Sequence, residues 1–291
     1  MGVTLSAALA VSTAFAQAPV VDANGGSELE QRIAVLERIV KSRTEMQNFY
    51  ALASVDYKYL VEKFEWKKWL EMHQANVGGR KLKLLDIACG SGKFPSALIQ
   101  YANLSDAKIL PVEYSLLDPS SFSISEARKV IKFPFQVSSE YETTLQEFNC
   151  KQKAYDIIWA THALYAIPKD QLKKALKRFI FGMAGSGFIA HASENSHYLN
   201  FYRHYLSGFK GGFGEPYSSA EQILQTLKEI GITHRVEKIT YENDVSENAY
   251  LQVEGYLQRC VFDNTIDLQA MLENSSTGPY LRNCIKLGKW R

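Results

Sequence analysis

Residues 84–94, LLDIACGSGKF, gather an acid, a cysteine, two glycines and a lysine into one bend at the end of an apolar run. Such bends receive nucleotides, and the spacing decides which kind. A phosphate-gripping loop needs G-x-x-x-x-G-K-[ST]. Gly92 and Lys93 fit, but Ile87 stands at the earlier glycine position and Phe94 replaces the magnesium-binding hydroxyl. A dinucleotide fold needs G-x-G-x-x-G/A, and Pro95 occupies the third position, where helix and strand must pack closely. What is left is an acid, Asp86, ahead of a bend made of Ala88, Cys89, Gly90 and Gly92. A carboxylate there repels pyrophosphate and suits a ligand with a positive end. The glycines let the backbone come close, and a helix beginning near Pro95 offers unpaired N–H groups. S-adenosylmethionine has these properties: an ammonium, a sulfonium and no phosphate.

A second acid supports this expectation. SLLDPS ends the next apolar run with Asp118, 28 residues past Gly90. A carboxylate at a strand end can accept both ribose hydroxyls. The competing role for Asp118 is a turn or helix cap before Pro119, and Glu113 takes its place if the strand ends earlier. On the acceptor side, YDIIWATHALYAI offers Trp159, Thr161, His162 and Tyr165. Methylating a neutral amine requires a lone pair held in line with the methyl group, and water can take the proton. His162 is a candidate to orient the nucleophile or accept that proton; a strand-end histidine bonded to backbone is an equal alternative. Further on, HASENSHYLNFYRHYLSG is dense in His and Tyr but lacks H-x-x-x-H and H-E-x-x-H, so no metal site is expected. Tyr198, Phe201, Tyr202 and Tyr205 read as helix-packing residues, with a cation–π contact to an amine as the alternative; Glu194 reads as a capping or solvated acid, with the anion for a cationic substrate as its alternative.

The elements that must position these residues alternate in type. VDYKYLVEKFEWKKWLEMHQ reads as a helix, KLKLLDIAC as a strand and PSALIQYAN as a helix. AKILPVEYSLLD is a strand region, SISEARKVIKF a helix, YDIIWATHAL a strand and QLKKALKRFIFGM a helix. GSGFIAHAS is a strand, SAEQILQTLKEIG a helix and HRVEKITYE a strand. This order predicts an α/β fold, a doubly wound, mostly parallel sheet whose ligands sit beyond the carboxyl ends of the strands. The chain has 291 residues, 46% hydrophobic, with net charge +2. That balance gives no basic footprint for nucleic acid, and no apolar run is long enough to span a membrane as a helix. Cys89, Cys150, Cys260 and Cys284 are far apart, without a C-x-x-C pair.

The amino-terminal residues follow different rules. VTLSAALAVSTAFAQA is a short apolar stretch ending in an A-x-A pattern, although no Lys or Arg precedes Arg32. Gly2 and Ser6 also fit a myristoylation pattern, and an Ala-rich tail is the plain alternative. Residues 1–26 are therefore read as a signal-like segment and linker. In residues 27–48, Leu29, Ile33, Leu36 and Val40 form a two-heptad seam. Such a seam either self-associates as a coiled coil or lies as one amphipathic helix on the following domain, residues 49–291.

DIACGSG, the acid of LLDPS and YDIIWATHALYAIPKD resemble, in order, the first, second and fourth motifs of class I methyltransferases over residues 50–250. The resemblance implies a Rossmann-like domain, S-adenosylmethionine as cofactor, a small-molecule methyl acceptor, and Ser138 and Thr161 as further cofactor contacts. SLLDPSSFSISEARK, FQVSSEYE, PYSSAEQILQTLKEIGI and VEGYLQRCVFDN are similar to histamine-type N-methyltransferases, which implies a small amine, with His162 touching it. The chain ends at GKWR without an obvious final strand. Residues 1–48 resemble the signal peptide and trimerising coiled coil of the periplasmic cell division coordinator of the Tol–Pal system, implying export and a homo-trimer. The two resemblances place the chain differently: in the cytoplasm if the methyltransferase works, in the periplasm if the signal is used.

Overall fold

The computed structural model describes residues 49–104, 108–165, 167–241, 243–244, 256–257, 260–261 and 289–290. The signal-like segment, the heptad helix and most of VEGYLQRCVFDN lie outside them. Five strands form one parallel sheet: β1 (Leu82–Ile87), β2 (Val112–Leu117), β3 (Phe135–Tyr141), β4 (Tyr155–Thr161) and β5 (Met183–Ala190), in the order β3-β2-β1-β4-β5. The order reverses direction between β1 and β4, so the crevice of a doubly wound sheet opens above those two strands. The expected α/β class is what the chain adopts.

The strands are buried on both faces because alternate side chains feed two separate cores. Leu82, Leu84, Tyr114, Leu116, Ile157, Trp159 and Phe188 point to one face. There they meet residues from α1 (residues 49–62), α2 (Trp66–Asn76), α3 (Lys93–Tyr101) and α4 (Ser121–Val130). Leu85, Ile87, Leu117, Ile158 and Ala160 point to the other, against α5 (Lys169–Gly182) and α7 (Ala220–Glu229). α6 (His197–Phe209) follows β5.

The expected helix over 55–74 is broken at residues 63–65. Residues two apart stand about 200° apart around a helix, so a continuous helix cannot bury both Phe64 and Trp66 on one side. With the break, both rings reach Phe188, at 6.0 and 4.9 Å, and the Trp66 indole N–H donates to the Leu60 carbonyl at 3.3 Å. β3 was missed as a strand because only Phe135 is fully buried in it, the rest being Gln, Val, Ser, Glu and Tyr on a sheet edge. HRVEKITYE is not the expected strand. Residues 233–241 make no ladder; they are anchored by a buried Ile239 and a Tyr241 hydroxyl donating to Asp56. GKWR does supply strand residues: β7 (Lys289–Trp290) pairs antiparallel with β6 (Asn243–Asp244), separate from the five-stranded sheet.

The described residues fall into two compact units. Asp56–Asn200 and Glu215–Tyr241 hold the sheet; residues 49–55, Phe201–Gly214 and the described residues beyond 242 form the other. In the second unit Phe49 stacks on Tyr256 at 5.4 Å. Among the described residues no helix is long and apolar enough to cross a membrane, and no cluster of three His, Cys, Asp or Glu could hold a metal ion.

Candidate active site at the carboxyl ends of the strands

The bend after β1 is built on left-handed backbone. Ala88, Gly90 and Gly92 have φ of 50°, 52° and 70°. Gly92 ends the bend as the N-cap of α3, where a Cβ would lie 2.7 Å from Val130 Cγ2 and 3.2 Å from Ala127 Cα. That close approach of α4 leaves room only for hydrogen. Cys89 ties the bend to the neighbouring strand, its N–H reaching the Leu117 carbonyl at 3.1 Å.

Asp118 is brought directly to this bend. Its Oδ2 accepts the Gly90 N–H at 3.0 Å, and Oδ1 accepts the Ser120 N–H at 2.9 Å. The bond from Ser120 is the local turn anticipated for it, and the bond from Gly90 ties the carboxylate to the bend. Burial pushes its pKa up to about 6, against the two N–H groups, which favour the charge. The Ser123 hydroxyl also bonds this carboxylate, which keeps acceptor capacity for one more hydrogen.

Asp86 is turned differently. Its Oδ2 accepts the Tyr114 hydroxyl at 2.6 Å on the face it shares with Trp159, and burial raises its pKa to about 7. It sits beneath the bend rather than along its rim. Cys89 is buried too, which raises its thiol pKa, so a thiol and not a thiolate faces the turn. The Ser91 hydroxyl, at the centre of the bend, is buried with no hydrogen-bond partner among the described residues.

Across the crevice, Thr161 ends β4 beside Ala190 of β5. His162 follows with φ of 56°, fully buried, its N–H on the Ala190 carbonyl at 2.9 Å. Its Nδ1 lies 3.1 Å from the Tyr165 hydroxyl, and the Tyr57 ring meets it edge-on at 5.3 Å. Tyr165 is held in turn: the Ala192 N–H donates to its hydroxyl at 3.1 Å, and its ring stacks on His191 at 3.9 Å. Sequence reasoning passed over His191, although its place immediately after β5, at the same carboxyl edge, was the available signal.

Ser138 is not brought to this cluster. It lies within β3, three residues before the strand's end, with its hydroxyl 3.3 Å from that of Ser115. At about 3.3 Å per residue this is roughly 10 Å below the level of Asp118, whose N–H donates to the Tyr141 carbonyl. Glu194 is exposed, and its backbone N–H caps onto Glu221 at 2.8 Å. Cys89 and Cys150 are free thiols.

The arrangement supplies a buried strand-end carboxylate, a bend that admits close backbone contact, and an aromatic and imidazole wall at the ends of β4 and β5. No family model matches the chain, and no curated protein does. Several solved structures are similar in fold. One is a SAM-dependent methyltransferase from Leishmania major: 14% identity and TM-score 0.35, over 52% of this chain and 61% of that one. A possible histamine N-methyltransferase from Thermotoga maritima matches at 18% identity and TM-score 0.37, over 60% and 73%. Magnesium protoporphyrin IX methyltransferase from Synechocystis, with bound SAH, matches at 17% identity and TM-score 0.40, over 60% and 72%. The chain thus spans under two thirds of the length of the Leishmania major protein. Likeness at this level concerns the sheet and its helices and says nothing about the reaction.

Proposed function

We propose that the protein binds S-adenosylmethionine above β1 and β2 and transfers its methyl group to a small molecule received beside His162 and Tyr165. The observation that carries this reading is the Gly90 N–H to Asp118 Oδ2 bond, which joins bend and acid across 28 residues. The residues fit the cofactor. Asp118 keeps acceptor capacity for a ribose hydroxyl, and Ala88, Cys89, Gly90 and Gly92 border the ligand with backbone. Two buried carboxylates, Asp86 and Asp118, disfavour a pyrophosphate and suit a cationic ligand. The buried Ser91 hydroxyl is a polar group awaiting a partner in the bend.

The bound cofactor supplies a methyl group on a sulfonium. The chain's own part is to place an acceptor lone pair in line with it, worth far more than acid–base help for a neutral nucleophile. Thr161 lines the passage from β4, while His162 and Tyr165 orient the acceptor. A small amine is the acceptor class we propose first, since it needs no strong base.

Calorimetry on the full chain tests this. S-adenosylmethionine should bind and ATP should not. Asp118→Ala should weaken cofactor binding by roughly tenfold to hundredfold, the loss of hydrogen bonds to a charged group. Because the Asp118 carboxyl titrates at about 6, affinity should fall as pH drops through that value, where protonation removes an acceptor. Equal binding by wild type and Asp118→Ala, or no binding at all, ends the proposal. A panel of amines and carboxylic acids, read by mass gain of one methyl, then identifies the acceptor class.

A further inference from the structure

The proposed chemistry leaves the buried imidazole beside Tyr165 unused. His191 is 2% exposed and opens the turn after β5. Burial lowers its pKa to about 4, so it is an uncharged ring at neutral pH. Its Nε2 lies 2.8 Å from the Ser218 carbonyl. A carbonyl only accepts, so Nε2 carries the hydrogen. Ser218 returns the bond to the other side, donating its N–H to the Tyr165 carbonyl at 3.3 Å. The His191 ring itself stacks on the Tyr165 ring with centroids 3.9 Å apart and planes 26° apart. The next residue, Ala192, gives its N–H to the Tyr165 hydroxyl. Backbone, ring and hydroxyl of Tyr165 are therefore each held by His191 or by a group fixed next to it or bonded to it. The hydroxyl so held is the one 3.1 Å from His162 Nδ1.

We infer that His191 is a positioning residue, which through its stack on Tyr165 and its bond to Ser218 fixes the Tyr165 hydroxyl against His162. Its kinetic consequence rests on the proposed methyl transfer; its structural consequence rests on the geometry alone. The clamp joins the loops after β4 and β5 to the residues that lead into α7.

Two variants of the full chain separate its parts. His191→Phe keeps the ring and loses the N–H, whereas His191→Gln keeps an N–H donor and loses the ring. In both, nitrogen-edited NMR should show the His162 imidazole resonances displaced from wild type. Cofactor affinity should stay within about twofold while kcat falls roughly tenfold to hundredfold, the effect of a small misplacement on an aligned reaction. His162 resonances that superimpose on wild type in both variants overturn the inference. Should the variants not fold, amide exchange in the wild type decides: the Ala192 and Ser218 amides must be protected, and exchange at open-chain rates overturns the clamp. A wild type that binds no S-adenosylmethionine sinks the functional proposal instead, with the NMR and exchange measurements still deciding the clamp.

Discussion

Ala88 and His162 stand at the carboxyl ends of neighbouring strands, and both hold a left-handed backbone without being glycine. Each costs about 1–2 kcal/mol relative to ordinary backbone. Such residues persist where the surroundings over-determine them, and they concentrate at functional sites. Gly92 shows the opposite solution to the same demand. Adding a methyl there keeps the strained φ and drives Cβ into Val130 and the Ala127 backbone. Gly92→Ala should cost about 2–4 kcal/mol, read from urea denaturation. Asp86 offers a pH signature. Its carboxyl titrates at about 7 in the fold, against about 3.9 in an open chain. The native state then binds more protons between those values, so this group stabilises below pH 4 and loses that contribution as pH rises through 7. Asp86→Asn should therefore be more stable than wild type at pH 8, with the advantage vanishing toward pH 4 in denaturation curves.

At the scale of elements, local chemistry and tertiary demand alternate in deciding boundaries. α7 begins where its sequence says it should. The Ser219 hydroxyl accepts the Gln222 N–H, and the Gln222 side chain accepts the Ser219 N–H, a complete capping box. Ser219→Ala should lower stability by about 1 kcal/mol in thermal or urea unfolding, leaving cofactor binding unchanged. The gap between α1 and α2 is a different matter, for no Gly or Pro marks residues 63–65. Aromatic packing against Phe188 breaks that helix, and packing is invisible to a propensity argument. The same holds for residues 233–241, whose alternation suits a strand although side-chain anchors, not a ladder, hold them.

Over the whole molecule, the sheet is gripped by one continuous aromatic core on its first face. Phe94, the residue that disqualified a phosphate loop, is its centre. It meets Trp159 at 5.0 Å, Trp66 at 5.3 Å, Phe188 at 6.1 Å and Tyr57 at 6.3 Å. One side chain thus joins the bend after β1 to β4, β5 and the amino-terminal helices. Phe94→Ala should cost about 3–5 kcal/mol, seen as a lower urea midpoint with an unchanged slope.

Much of the fold was legible in the chain because hydrophobic period and strand–helix alternation are local properties. The DIACGSG bend, the SLLDPS acid and the YDIIWATHALYAI turn could be placed together for the same reason: each is a strand end, and in a parallel sheet strand ends gather at one edge. What only the tertiary structure decided was orientation and reach. It turned Asp86 under the bend toward Tyr114, left Ser138 low on an edge strand, and carried Asp118 onto Gly90. It also set His191 against Tyr165 across 26 residues. Side-chain direction depends on twist, register and the neighbours that claim each face, and these are fixed when the sheet closes on its helices, not along the chain.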